Sequence, residues 1–177
     1  QNPLRGTAPN LTIEENLALA YTRKASPSFF ALNKKDSAYF REVLSTLGMG
    51  LEDRMKTKIG LLSGGQRQAL TLLMATIVTP KLLLLDEHTA ALDPKTAEKV
   101  MRITEKIVKE NALTTLMITH NISNAIEYGN KTIVMSQGKL LLTIEGEQRA
   151  NMTVEKLMKL YSDTAEDELS DKMILQE

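Results

Sequence analysis

The sequence predicts an α/β fold, a parallel sheet flanked by helices, with a helical segment ahead of it. Three observations carry that reading. Leu82-Leu83-Leu84-Leu85 is a short apolar run ending in Asp86-Glu87, the pattern of a strand buried on both faces. Leu113 to Thr119 is a second buried strand of the same kind, and it ends in His120. Between them, Pro94 to about Lys109 reads as one amphipathic helix. Strands of a parallel sheet deliver their last residues to its C-terminal edge, where open α/β folds place ligands.

The composition narrows the class. The 177 residues suffice for one domain with a real core, and 42% hydrophobic with 25% charged residues is ordinary for a globular protein. The 22 basic and 22 acidic residues cancel, so nothing asks for nucleic acid or an anionic membrane as partner. Without cysteine there is neither a disulfide framework nor a zinc-thiolate site, which fits a reducing cytosol. No apolar run approaches the ~18 residues that span a bilayer. The amino end is polar and starts with Gln, so no signal peptide is visible and the chain is expected to begin inside a longer gene product.

The elements follow in order. A polar loop runs from Gln1 to Asn10. Thr12 and Glu15 form a capping box that opens a helix to about Tyr21. After the polar Ser26-Pro27-Ser28 comes a helix from about Ser37 to Leu47, stopped by Gly48. Phe40, Val43, Leu44 and Leu47 share its core face; Phe29, Phe30, Tyr39 and Phe40 are core or docking aromatics. Ser63 caps a third helix whose apolar rhythm, Ala69, Leu70, Leu73, Met74 and Ile77, is closed by Pro80. Asp93 caps the helix beginning at Pro94, the favoured first helical position for proline. Asn121 caps a short helix to about Tyr128, ended by Gly129. Lys131–Met135 and Lys139–Ile144 are two strands around the Ser136-Gln137-Gly138 turn. Thr153 starts a last amphipathic helix through Leu160, and an acidic tail runs on from Asp163.

Two stretches carry chemistry. At Ser63-Gly64-Gly65-Gln66, two residues without side chains let an anion approach bare amides at the positive end of a helix. At Asp86-Glu87, paired carboxylates suit a magnesium ion and an activated water. Each alone has a bland reading, a turn and a solvated strand end. Leu62-Ser63-Gly64-Gly65-Gln66, the apolar run into Asp86-Glu87, and Ala91-Leu92-Asp93 in this order resemble the ATP-binding-cassette (ABC) ATPases. There they are the signature sequence, the Walker B strand and the D-loop.

The resemblance implies a P-loop-NTPase-like sheet with a helical subdomain over about 7–79, a catalytic lobe over 80–150, and a C-terminal helix and tail over 151–177. It implies that Asp86 holds Mg2+ through water, that Glu87 is the general base or orients the attacking water, and that His120, the H-loop histidine, holds the γ-phosphate of ATP. Gln1 resembles the Q-loop residue that reaches the magnesium. Ser63, Gly64, Gly65 and Gln66 would bind nucleotide in trans, across a head-to-tail homodimer or heterodimer, and Asp93 would link the two sites. On this reading Ser63→Arg or Gly65→Asp is expected to fold normally and block only the closed dimer. His88 stands where the family more usually has proline and is read as a loop residue without catalytic duty.

The family's Walker A loop, G-x-x-x-x-G-K-[ST], is absent. The resemblance therefore covers nearly all of the chain but only the second half of the ATPase domain, and an incomplete sheet is expected. The function implied is the ATPase subunit of a membrane transporter, on the inner face of the cell membrane through permease subunits. The loop and helix from Thr7 to Ala20, TAPNLTIEENLALA, look most like importers of small solutes, aromatic amino acids among them. The alternatives are a soluble ABC ATPase of repair or translation, and a non-enzymatic half that completes another subunit's site.

Overall fold

The computed structural model describes residues 5–22 and 34–163. The chain divides into two compact units, 1–118 and 119–177, each described here by itself.

The first unit begins with α1 (Ile13–Tyr21). The expected capping box is present: Thr12 Oγ1 accepts from the Glu15 amide, and the Glu15 carboxylate accepts from the Thr12 amide. Asn16 is buried and fully used, accepting from the Ala8 amide and donating to the Ala8 and Thr12 carbonyls. α2 (Lys34–Ser45) starts and ends a little earlier than predicted, and Gly48 follows at φ +58. Its predicted face is buried through Phe40, Leu44 and Leu47, with Tyr21 meeting Phe40 edge-on at 5.8 Å. α3 (Gly64–Thr76) contributes Ala69, Leu70, Leu72, Leu73 and Met74 to the same core. β1 (Leu83–Asp86), α4 (Pro94–Glu110) and β2 (Thr115–Ile118) complete the unit, with β1 and β2 parallel in the register Leu84↔Leu116. Val100, Met101, Ile103, Thr104 and Ile107 form the buried stripe of α4. Its solvent face carries the i,i+4 pairs Glu98–Arg102 and Glu105–Lys109. One apolar cluster runs from α1 through α3 to β1 and α4.

Both strands depart from expectation. Neither is buried on both faces: Leu83 and Leu85 enter the core, but Leu84 is 64% exposed, and Leu116 and Ile118 are 50% and 55% exposed. Among the described residues β1 and β2 pair only with each other. Among the described residues of the first unit the core cluster lies on the Leu83–Leu85 side and leaves the opposite side chains uncovered, so a continuous apolar run becomes an alternating one. The second strand is also shorter, four residues in place of Leu113–Thr119.

Glu14 ties α1 to the segment before α3. Its carboxylate is buried and accepts from the Lys56 ammonium and the Ser37 hydroxyl. Burial opposes ionisation, but those two hydrogen bonds outweigh it and hold Glu14 below the ordinary glutamate range. A depressed carboxyl stabilises the fold above its unfolded pKa and loses that contribution as pH falls through the folded one. Glu14→Gln should therefore cost about 1 kcal/mol at pH 7 and flatten the decline of Tm in mild acid. An unchanged acid limb in a pH series of thermal melts would remove Glu14 from this role.

In the second unit Asn121 caps α5 (Ile122–Glu127) through the Asn124 amide, as predicted. β3 (Lys131–Ser136) and β4 (Lys139–Glu145) form the predicted antiparallel hairpin, turning at Gln137 and Gly138 with φ of +48 and +77. The short α6 (Gly146–Ala150) was not foreseen. It brings Arg149 to the Ile126 and Tyr128 carbonyls and to Thr132 Oγ1, bolting the end of α5 to the hairpin. Thr153 Oγ1 accepts from the Lys156 amide at the head of a helical stretch over 154–163. Gln1, Phe29, Phe30 and the acidic tail beyond 163 lie outside the described residues.

Candidate nucleotide site

The Ser-Gly-Gly-Gln step sits at the amino end of α3. Ser63 Oγ accepts from the Gln66 amide, and the Gln66 side-chain oxygen accepts from the Ser63 amide, a capping box that sequence reading had seen only as a serine cap. Ser63-x-x-Gln66 was the legible signal for it. Because Ser63 Oγ serves as acceptor, its own proton remains available for an anion. Gln66 also donates to the Met49 carbonyl at 3.4 Å, so its side chain faces its own fold. Ser63 and Gly64 are exposed, whereas Gly65 is buried.

Gly65 is buried because α3 lies against the start of α4. A Cβ at Gly65 would fall 2.2 Å from Thr96 Cγ2, and one at Gly64 would fall 3.3 Å from Leu92 Cδ2. Thr96 in turn hydrogen-bonds Asp93 through its hydroxyl and its amide, the latter 3.1 Å from Oδ1, and this holds Asp93 below the ordinary aspartate range. The Ser63–Gln66 step and Asp93 are thus joined through one threonine. The expectation that Gly65→Asp folds normally is corrected by this contact, since any side chain there would force Thr96 out of its place.

Asp86 is exposed as the last residue of β1, and Glu87, half-buried, follows it with φ +45. That left-handed conformation is disfavoured for a residue with a Cβ. Two backbone hydrogen bonds hold it: the Glu87 amide donates to the Ile118 carbonyl, and the Glu87 carbonyl accepts from the Ala90 amide, both at 3.0 Å. His88, expected in a loop, is 6% exposed, with Nε2 3.0 Å from Thr104 Oγ1. Burial pushes its imidazole down to about 4. His120 is exposed and belongs to the second unit.

The donor set bears on magnesium. No group of three or more His, Cys, Asp or Glu side chains converges among the described residues, so a dedicated all-protein cage is not formed there. A lone exposed Asp86 fits an ion that keeps several waters and takes its other ligands from phosphate, which is how magnesium binds. No helix of the described residues is long and apolar enough to cross a membrane.

A parallel strand pair that ends in an Asp-Glu pair and is joined by a long helix is an α/β arrangement. Comparison with known proteins specifies the class. The family model described as ABC transporter matches residues 1–90. The tyrosine transport ATP-binding protein of Clostridioides difficile is 39% identical over 161 residues, covering 91% of this chain and 64% of that protein. The sulfate/thiosulfate import ATP-binding protein of Halalkalibacterium halodurans is 34% identical over 75% of this chain and 36% of its own length. A methionine import ATP-binding protein of Streptococcus agalactiae is 35% identical over 74% and 35%. The chain belongs to the ABC transporter family. It spans no more than 64% of the length of these relatives.

Proposed function

We propose that this chain forms the signature and Walker B portion of the ATP-hydrolysing subunit of an ABC importer for small solutes. The observation that carries the reading is Asp86-Glu87 at the outgoing edge of a parallel strand, with Glu87 pinned in a left-handed turn. What supports importer over soluble ATPase is that the relatives named above are transport or import proteins, and the tyrosine relative favours an aromatic amino acid as solute. The subunit would work as a head-to-tail dimer under permease subunits on the inner face of the membrane, with residues 7–79 as the helical subdomain.

The chain's own residues divide the work. Glu87 would orient the attacking water and take its proton. His120 would donate to a γ-phosphate oxygen, and the Ser63 hydroxyl with the amides of Gly64 and Gly65 would bind the neighbour's phosphate. Asp86, with Gln1, would hold magnesium, which when bound neutralises phosphate charge. Asp93, fixed to the signature through Thr96, would carry the state of one site to the other.

Ser63→Asp tests the trans assignment without losing the helix cap, because aspartate caps as well as serine. In the full-length subunit it should bind ATP as a monomer but lose ATP-driven dimerisation and about 100-fold or more in hydrolysis, since its charge opposes the neighbour's phosphate. Loss of ATP binding by the monomer, or wild-type hydrolysis, would contradict the assignment.

A further inference from the structure

Neither His88 nor Thr104 has a part in the proposed chemistry, yet their buried side chains meet, and His88 follows Glu87 directly in the chain. Thr104 Oγ1 donates its one proton to the Val100 carbonyl at 2.9 Å. It then accepts from His88, whose Nε2 carries a proton. The result is a chain from α4 backbone through Thr104 and His88 into the peptide that begins at the Glu87 carbonyl. Glu87 needs such an anchor. Its left-handed backbone is held on the amide side by the Ile118 carbonyl at the end of β2 and on the carbonyl side by the Ala90 amide within the turn. Neither bond ties the turn to α4. A buried ring on the next residue, locked to the middle of a 17-residue helix, does.

We propose that His88 is a positioning residue, which with Thr104 locks the left-handed turn at Glu87 onto α4 and so aims the Glu87 carboxylate. The proposal rests on the reading of Glu87 as the group that handles the attacking water. It predicts that losing either partner changes the chemical step while leaving nucleotide binding alone. A displacement of the reacting group by about 1 Å can cost on the order of 100-fold.

Steady-state ATP hydrolysis by the full-length subunit tests it, with His88→Ala, His88→Gln, Thr104→Val and the double variant His88→Ala/Thr104→Val. His88→Ala and Thr104→Val should each lower kcat roughly 10- to 100-fold with KM unchanged. The double variant should be no slower than the slower single one, because both remove the same link. His88→Gln, which restores an N–H donor near the position of Nε2, should recover most of kcat. Hydrogen exchange at the Glu87 and Ala90 amides should be faster in His88→Ala and near normal in His88→Gln. If His88→Ala fails to fold, Thr104→Val carries the same test, since it keeps the shape of the side chain. An unchanged kcat in Thr104→Val, or a fall in kcat in His88→Gln equal to that in His88→Ala, would overturn the proposal. Should Glu87→Gln itself leave hydrolysis intact, the reading of Glu87 fails instead, and the two failures are distinguishable.

Discussion

Glu87→Gln in the full-length subunit is expected to lower ATP hydrolysis by about 100- to 10,000-fold, the range supplied by a positioned proton acceptor, with ATP binding preserved. The substitution changes an oxygen for an amide on a side chain whose backbone is already fixed by the Ile118 carbonyl and the Ala90 amide, so the turn should survive. Removing the negative charge also removes repulsion toward the nucleotide phosphates. The stalled subunit should therefore accumulate as an ATP-bound dimer, visible by size-exclusion chromatography with ATP and absent without it. A variant that stays monomeric with ATP, or hydrolyses it at the wild-type rate, would take the role away from Glu87.

The second large effect is structural. Gly65→Asp should destabilise the first unit by about 3 kcal/mol or more, because it places an unpaired carboxylate and a Cβ where Thr96 Cγ2 already sits. The neighbouring position provides the control. A Cβ at Gly64 meets only the end of the Leu92 side chain at 3.3 Å, which can yield by a few tenths of an ångström. Gly64→Ala should thus melt within a few degrees of the parent, while Gly65→Asp unfolds at much lower temperature. Equal melting temperatures would mean that α3 and α4 do not pack as described. The pair also cautions against reading any loss of activity in Gly65→Asp as a nucleotide effect, for which Ser63→Asp is the cleaner probe.

The sequence made its motifs legible wherever a local rule governs. Thr12 with Glu15, Ser63, Asp93 with Pro94, and Asn121 announce helix starts because a side chain a few residues from a free amide suffices to cap it. The hairpin at Gln137-Gly138 was legible for the same reason. What failed depended on distant packing. Leu82–Leu85 reads as doubly buried by composition, but whether Leu84 is covered depends on partners that the strand itself does not encode. His88 was read as a loop residue, and the conformation is indeed a turn. Its burial against Thr104, 16 positions away and on another element, left no local trace. Gly65 was read for its bare amide alone. That its hydrogen atoms face Thr96 required knowing how α3 crosses α4. The short α6 escaped because five residues carry too little periodicity to register.

The central claim is that this chain holds residues that act on a nucleotide while the loop that cradles its phosphates, G-x-x-x-x-G-K-[ST], is not among its 177 residues. Isothermal titration of the purified chain with Mg-ATP, run beside a phosphate-release assay, addresses it most directly. On the proposed reading one copy offers Asp86 and Glu87, which repel phosphate without magnesium, and His120, while the Ser63 step would act only on nucleotide held by a partner. The account predicts no turnover and no binding tighter than about millimolar, roughly 4 kcal/mol of binding free energy. Micromolar binding, or sustained phosphate release from this chain alone, would contradict it.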